Sequence, residues 1–437
     1  MTTQKQLRTA MLLPPLTVET LVNGGAGLAR YEGRVVFIPH TAVGDVVRCR
    51  VTKVKKNFLE AEILDIINPA PQRRQPECPV AGDCGGCQWQ HLPYPEQLVW
   101  KESLFRESLV RQCGIDADKI LSILPAADQW NYRSRVQIKS SNTGTGFVTG
   151  FYRPKSHSVV PVEQCPVIAA ELNSLLGRLQ RLLNHSSYAD SISQLDLSVD
   201  DRRDCSVVIH YSGQQVSSLA DLLLKEQLGA NLFIRAGAEK QLINIQAKGA
   251  LRLTVDHPPL ELAYGTGSFS QINLEQNRVL VDTVVSLAEL TGAECVLDLY
   301  CGMGNFSLPL SRRARHVVGV EESVTSIVTA RENSRLNGID NVEFFNRSAE
   351  GALATFSPQS PIDLLLLDPP RSGALAIMDE LLKFPVKRVI YVSCDPQTLA
   401  RDLKILVTGG YDLISSQPLD MFPQTHHCES ITLLHYS

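Results

Sequence analysis

Val296-Leu297-Asp298-Leu299-Tyr300-Cys301-Gly302-Met303-Gly304-Asn305 decides the fold. An apolar run closed by two glycines at two-residue spacing reads as a buried strand, a tight loop and, from Phe306, a helix. A second strand, His316 to Val320, ends at Glu321, 23 residues beyond Asp298. In a parallel α/β sheet an acid there meets the ribose hydroxyls of a nucleoside cofactor. The third glycine of a dinucleotide fingerprint is missing. With no pyrophosphate to cradle, that pattern favours S-adenosylmethionine over NAD.

The next strand of this βα series ends in Asp368-Pro369-Pro370-Arg371, an acid and a rigid turn at the carboxyl end. The strand after it, Arg388 to Val392, runs into Ser393-Cys394-Asp395-Pro396 and so delivers a thiol to the same rim. A last strand, Ile431 to Leu434, follows His427-Cys428-Glu429-Ser430, which brings Glu429 within reach. Cys301 and Cys428 sit beside these motifs without a role and are expected to be packing residues.

Upstream, residues 15 to 66 alternate in short segments (Leu16–Leu21, Arg34–Ile38, Asp45–Val54, Phe58–Ile63) separated by glycine turns, as in a small antiparallel barrel. Val47, Cys49 and Val51 are expected to face its core; Arg48, Arg50 and Thr52 are expected to form a basic face. After Asn68-Pro69-Ala70-Pro71, Cys78, Cys84 and Cys87 stand at C-x5-C-x2-C spacing in a glycine-rich loop, with Cys165 in Cys165-Pro166 as the nominated fourth ligand. Four thiolates suit zinc or an iron–sulfur cluster. Residues 96 to 112 are helical in pattern. Arg133, Arg135, Gln137 and Lys139 then share one face of a strand, suited to phosphate contacts. Residues 167 to 262 carry no motif and read as mixed α/β scaffold.

The 437 residues suffice for several domains, and 44% hydrophobic with 20% charged content is ordinary for a globular protein. No apolar run nears a membrane span and the start lacks a leader pattern, so a cytoplasmic location is expected. The net charge of -4 argues against indiscriminate nucleic-acid binding. Yet residues 1–76 hold eleven basic against six acidic side chains, and Gln129 to Val162 holds five basic and no acidic ones. Two basic regions on an acidic chain imply a localised polyanion track. Eleven cysteines inside a cell are not expected to form disulfides.

Gly24-Gly25-Ala26-Gly27-Leu28-Ala29-Arg30 with Phe37-Ile38-Pro39 resembles the TRAM domain, an OB-like barrel of RNA-modifying enzymes. Phe269-Ser270-Gln271-Ile272-Asn273, the glycine loop, Asp368-Pro369-Pro370-Arg371, Ser393-Cys394-Asp395-Pro396 and His427-Cys428-Glu429-Ser430 together resemble the RNA uracil-5-methyltransferase family. The barrel and four cysteines are most similar to its branch acting on uracil 1939 of 23S ribosomal RNA.

The resemblance implies an α/β chain in three parts: a TRAM-like barrel (1–70), a central iron–sulfur and RNA-binding domain (71–262) and a Rossmann-like methyltransferase domain (263–437). It implies Cys394 as nucleophile and Glu429 as general base. S-adenosylmethionine would be held by Gln271, Tyr300, Asn305, Glu321 and Asp368, and a [4Fe-4S] cluster by Cys78, Cys84, Cys87 and Cys165. Arg133 and Arg135 would contact 23S ribosomal RNA; a monomer is expected, with no DNA or membrane partner. A DNA cytosine methyltransferase would carry its cysteine in a Pro-Cys motif on the preceding strand, which here ends Asp-Pro-Pro-Arg. Transfer RNA, another ribosomal uridine, or a noncatalytic assembly role are the competing readings.

Overall fold

The computed structural model describes residues 8–143, 146–184, 186–237, 240–266, 269–356 and 361–436. The first seven residues, read as lacking a leader pattern, lie outside the described residues. Among those described, no helix is long and apolar enough to cross a membrane.

Six strands form the N-terminal sheet: β1 (Leu16–Thr17), β2 (Thr20–Leu21), β3 (Gly27–Tyr31), β4 (Arg34–Ile38), β5 (Val46–Val54) and β6 (Phe58–Asn68). Their order is β1-β5-β6-β4-β3-β2. Val47, Cys49 and Val51 are buried with Val36, Ile38 and Leu59, as the alternation along β5 requires. The expected basic face is corrected. Arg48 pairs with Asp65 and Arg50 with Glu62, each at 2.6 Å, because antiparallel β6 sets an acid opposite each arginine. The expected topology changes too: Gly27 opens a strand, and β4 pairs with β6 in parallel.

α1 (Tyr94–Cys113) has Pro95 in its first turn and stops at Gly114, whose φ of 69° closes the helix in the left-handed region. Its buried face holds Leu104, Phe105 and Leu109, but also Gln97, Lys101 and Ser108. These polar groups face the C-terminal domain, where Phe105 and Leu109 join its core.

The central sheet comprises β7 (Arg135–Thr143), β8 (Gly146–Tyr152), β9 (Val159–Pro161), β10 (Ile192–Val199), β11 (Cys205–Tyr211), β12 (Asn231–Ala236) and β13 (Gln241–Gln246). The order is β13-β12-β11-β10-β7-β8-β9. Two helices accompany it, α2 (Ala170–Asn184) and α3 (Val216–Lys225). Leu172, Leu175, Leu176, Leu179 and Leu183 lay one stripe of α2 into this core. The hairpin β14 (Leu251–Val255) and β15 (Leu260–Tyr264) instead packs on the C-terminal core.

The C-terminal domain runs α4 (Leu274–Ala288), β16 (Cys295–Leu299), α5 (Ser307–Ser311), β17 (His316–Glu321), α6 (Val324–Leu336), β18 (Val342–Asn346), α7 (Ala352–Phe356) and β19 (Leu364–Leu367). It continues with α8 (Leu375–Lys383), β20 (Arg388–Ser393), α9 (Pro396–Thr408), β21 (Tyr411–Leu419) and β22 (Glu429–Tyr436). Strand order is β18-β17-β16-β19-β20-β22-β21. The first five strands are parallel, and β22 and β21 close the edge antiparallel. β19 is four fully buried leucines, as a strand covered on both faces demands. Strand order reverses between β16 and β19, which opens the crevice where such sheets bind ligands.

Candidate active site

The loop after β16 forms one wall of the crevice. Tyr300 sits at a φ of +66° and Gly304 at +91°, where a Cβ on residue 304 would stand 3.1 Å from the Leu308 side chain. Asp298 is fully buried and accepts a hydrogen bond from the Ser307 hydroxyl at 2.5 Å, while its Oδ1 has no partner. Burial raises its pKa to about 7 against that hydrogen bond, with Asp368 and Glu321 adding to the rise. Glu321 is clamped: it accepts the Ser323 amide at 2.8 Å and the Gly302 amide at 3.3 Å. Asn305 and Asn277 exchange side-chain hydrogen bonds at 2.9 Å in both directions. A fixed carboxylate beside a loop with glycines at 302 and 304 fits the ribose and methionine ends of a nucleoside cofactor. Gln271 lies half-buried just before α4, held by the Ser134 amide bonding to the Ile272 carbonyl at 2.7 Å.

The second wall is the end of β20. Asp395 caps α9 by accepting the Gln397 and Thr398 amides at 2.8 and 3.1 Å, and Pro396 follows at the first helical position. That turn leaves Cys394 half-buried at the rim. Burial pushes its thiol up to about 12, and the nearby Glu429 adds to the rise. Glu429 opens β22 and is 3% exposed; burial, then Asp368, lifts its carboxyl well above the usual range. Burial of the Asp368 carboxyl lifts it to about 7. The Ser430 hydroxyl donates to the Ser393 carbonyl at 3.2 Å, which ties the two strand ends together.

The structure therefore brings Cys394, Glu429 and Asp368 into one electrostatic neighbourhood, and Asp368 and Glu321 both act on Asp298. It also adds a residue that sequence reasoning quoted without a role. Arg371 opposes the rise at both Cys394 and Glu429. Its place one residue past a Pro-Pro turn was the available signal. Cys301 and Cys428 are buried, at 3% and 4% exposure, inside the domain core.

Cys78, Cys84, Cys87 and Cys165 line one cavity of about 700 Å³ and are all free thiols. Burial raises Cys84 to about 11 and Cys87 to about 12, and raises Cys165, with repulsion among the thiolates adding to each. Four soft, mutually repelling donors around one space are a donor set that iron or zinc would satisfy. No group of three or more His, Cys, Asp or Glu among the described residues stands at the spacing that grips one ion. The same cavity is lined by Arg133, Arg135, Gln137 and Lys139, and by Phe269, which is 67% exposed. Arg133 donates from Nε to the Arg135 carbonyl at 3.1 Å and lowers the Cys84 and Cys165 thiols. Nearby, Arg153 pairs with Asp83 at 2.5 Å and Lys155 with Glu60 at 2.7 Å.

The tRNA (Uracil-5-)-methyltransferase family matches residues 121–437, a span that holds both walls of the crevice. The chain belongs to the RNA uracil-5-methyltransferase family. As a member it is an S-adenosylmethionine-dependent RNA uracil-5-methyltransferase. A TRAM domain matches residues 15–64. The 23S rRNA (uracil(1939)-C(5))-methyltransferase of Aeromonas hydrophila is 34% identical over 422 residues, covering 95% of each chain. An uncharacterized RNA methyltransferase of Thermosynechococcus vestitus is 35% identical over 451 residues, covering 96% of this chain and 97% of its own. In fold, the chain is similar to the Pyrococcus abyssi tRNA (uracil-54, C5)-methyltransferase solved with S-adenosyl-L-homocysteine. That pair has a TM-score of 0.75 at 23% identity, covering 96% of this chain and all of the other.

Proposed function

We propose that this methyltransferase acts on uracil 1939 of 23S ribosomal RNA, giving 5-methyluridine through a covalent Cys394–uracil intermediate. The observation that carries the chemistry is Cys394 at the rim with Glu429, Asp368 and Arg371 in its electrostatic field. Carbon 5 of uracil is a poor nucleophile and needs covalent activation. The Cys394 thiolate adds to carbon 6, and the electron pair displaced to carbon 5 takes the methyl group as its bond to the sulfonium sulfur breaks, which would leave S-adenosylhomocysteine. The Glu429 carboxylate then removes the carbon 5 proton, and the carbon 6–sulfur bond breaks to release Cys394. Arg371 favours the anionic forms of both groups. The cofactor would supply an electrophilic methyl group; Glu321 would hold its ribose hydroxyls, with Gln271, Tyr300, Asn305 and Asp368 around the rest.

The ribosomal substrate is supported by the Aeromonas relative's name, the TRAM domain and the basic cavity wall. Arg133 and Arg135 contact the RNA backbone there, and the target base leaves its stack to reach the thiol. Cys78, Cys84, Cys87 and Cys165 would hold a [4Fe-4S] cluster, which would brace this wall; no electron moves in the reaction. Incubation with labelled S-adenosylmethionine and unmethylated 23S RNA, with transfer RNA as comparator, should label one ribosomal uridine. Label on transfer RNA alone would overturn the substrate.

A further inference from the structure

We propose a second nucleotide site, where the enzyme seats an unpaired base next to the target uridine in a cleft between the TRAM barrel, α1 and the start of α9. This rests on the RNA reading above. The cleft encloses about 630 Å³, within the roughly 300–1,000 Å³ of small-ligand sites. One wall is apolar. Leu28, Val35 and Phe37 project from the outer face of the barrel, alternating with the buried Ala29, Val36 and Ile38 of its core. Three polar amides, Asn23, Gln112 and Gln397, come from three separate elements. Asn23 and Gln397 both donate to the Ser108 hydroxyl, at 3.1 and 2.8 Å, and Gln112 donates to the Gln397 carbonyl oxygen at 2.6 Å. That network fixes the amides while leaving the Asn23 and Gln112 carbonyl oxygens without partners among the described residues.

A nucleobase is the occupant this pairing suits: its face packs on Phe37 and the aliphatic side chains, and its edge bonds to amides. The position selects RNA over other partners. Gln397 is three residues past Cys394, on the helix turn whose cap, Asp395, sets the thiol, so the cleft adjoins the rim that receives the target base.

The test combines abasic substitutions, placed one at a time beside the target in an RNA substrate, with Phe37→Ala and Gln112→Ala enzymes. In wild type one abasic position should raise KM about tenfold, the scale of one lost base stack, and leave kcat unchanged. Each variant should raise KM for intact RNA, and the abasic site should then add little. Gln112 is on the surface of α1, so that variant keeps the test valid if Phe37→Ala unfolds the barrel. KM effects that multiply independently, or no effect of either variant on a wild type that methylates normally, would overturn the site. A wild type that methylates no RNA would overturn the function instead.

Discussion

Lys101→Met should loosen the joint between α1 and the catalytic domain, because Lys101 is the cation of a fully buried pair. Its Nζ lies 2.5 Å from Asp420 and 3.0 Å from the Phe422 carbonyl, with both charged side chains 0% exposed. Asp420 accepts the Phe422 amide at 3.1 Å but already has one oxygen without a partner. Methionine fills the volume and strands the carboxylate. Breaking one side of a buried pair costs about 3–5 kcal/mol, whereas removing both charges is close to neutral. Lys101→Met should therefore lower stability by about 3–5 kcal/mol, and Lys101→Met with Asp420→Asn should recover most of it. Turnover should fall in the single variant too, because residues 420–428 lead directly into Glu429. Urea denaturation followed by tryptophan fluorescence reads this, since buried Trp89 donates to the Gly25 carbonyl and bonds by its backbone to Gln424 in the same joint. A single variant losing less than about 1 kcal/mol, or a double variant no better than the single, would refute the reasoning.

Glu429→Gln should transfer the methyl group yet stall before release, accumulating a methylated covalent adduct; unimpaired turnover removes Glu429 from the base role. The raised Cys394 and Glu429 groups hold their protons near neutrality, so kcat/KM should climb as pH rises from about 6 to about 9, and Arg371→Gln should move that climb to higher pH. A flat profile contradicts this. Protein purified without oxygen should contain about four iron and four sulfide per chain, and zinc without sulfide would replace the cluster.

Much of this was legible because the relevant patterns are local. The glycine loop, the acid 23 residues on and the buried strand leading to Cys394 each carry their meaning within about 25 residues, and the parallel sheet follows from them. The alternation along β5 and β7 likewise announced which side chains face inward. What stayed hidden depends on partners distant in sequence. Arg48 and Arg50 looked like a basic face until antiparallel β6 placed Asp65 and Glu62 opposite them. Residues 96 to 112 read only as a helix, yet Lys101 and Gln97 on it meet Asp420 and Gln424 more than 300 residues away. Arg371 stood in a quoted motif, but its influence on Cys394 arises only when β19 and β20 lie side by side.

The most direct measurement uses a 23S RNA fragment carrying 5-fluorouridine at the target position with S-adenosylmethionine. Fluorine at carbon 5 cannot leave as a proton does, so elimination of the cysteine is blocked. Wild-type protein should form a denaturation-stable adduct that maps to Cys394, and Cys394→Ala should form none. An adduct retained by Cys394→Ala, or mapped to another residue, would contradict the account.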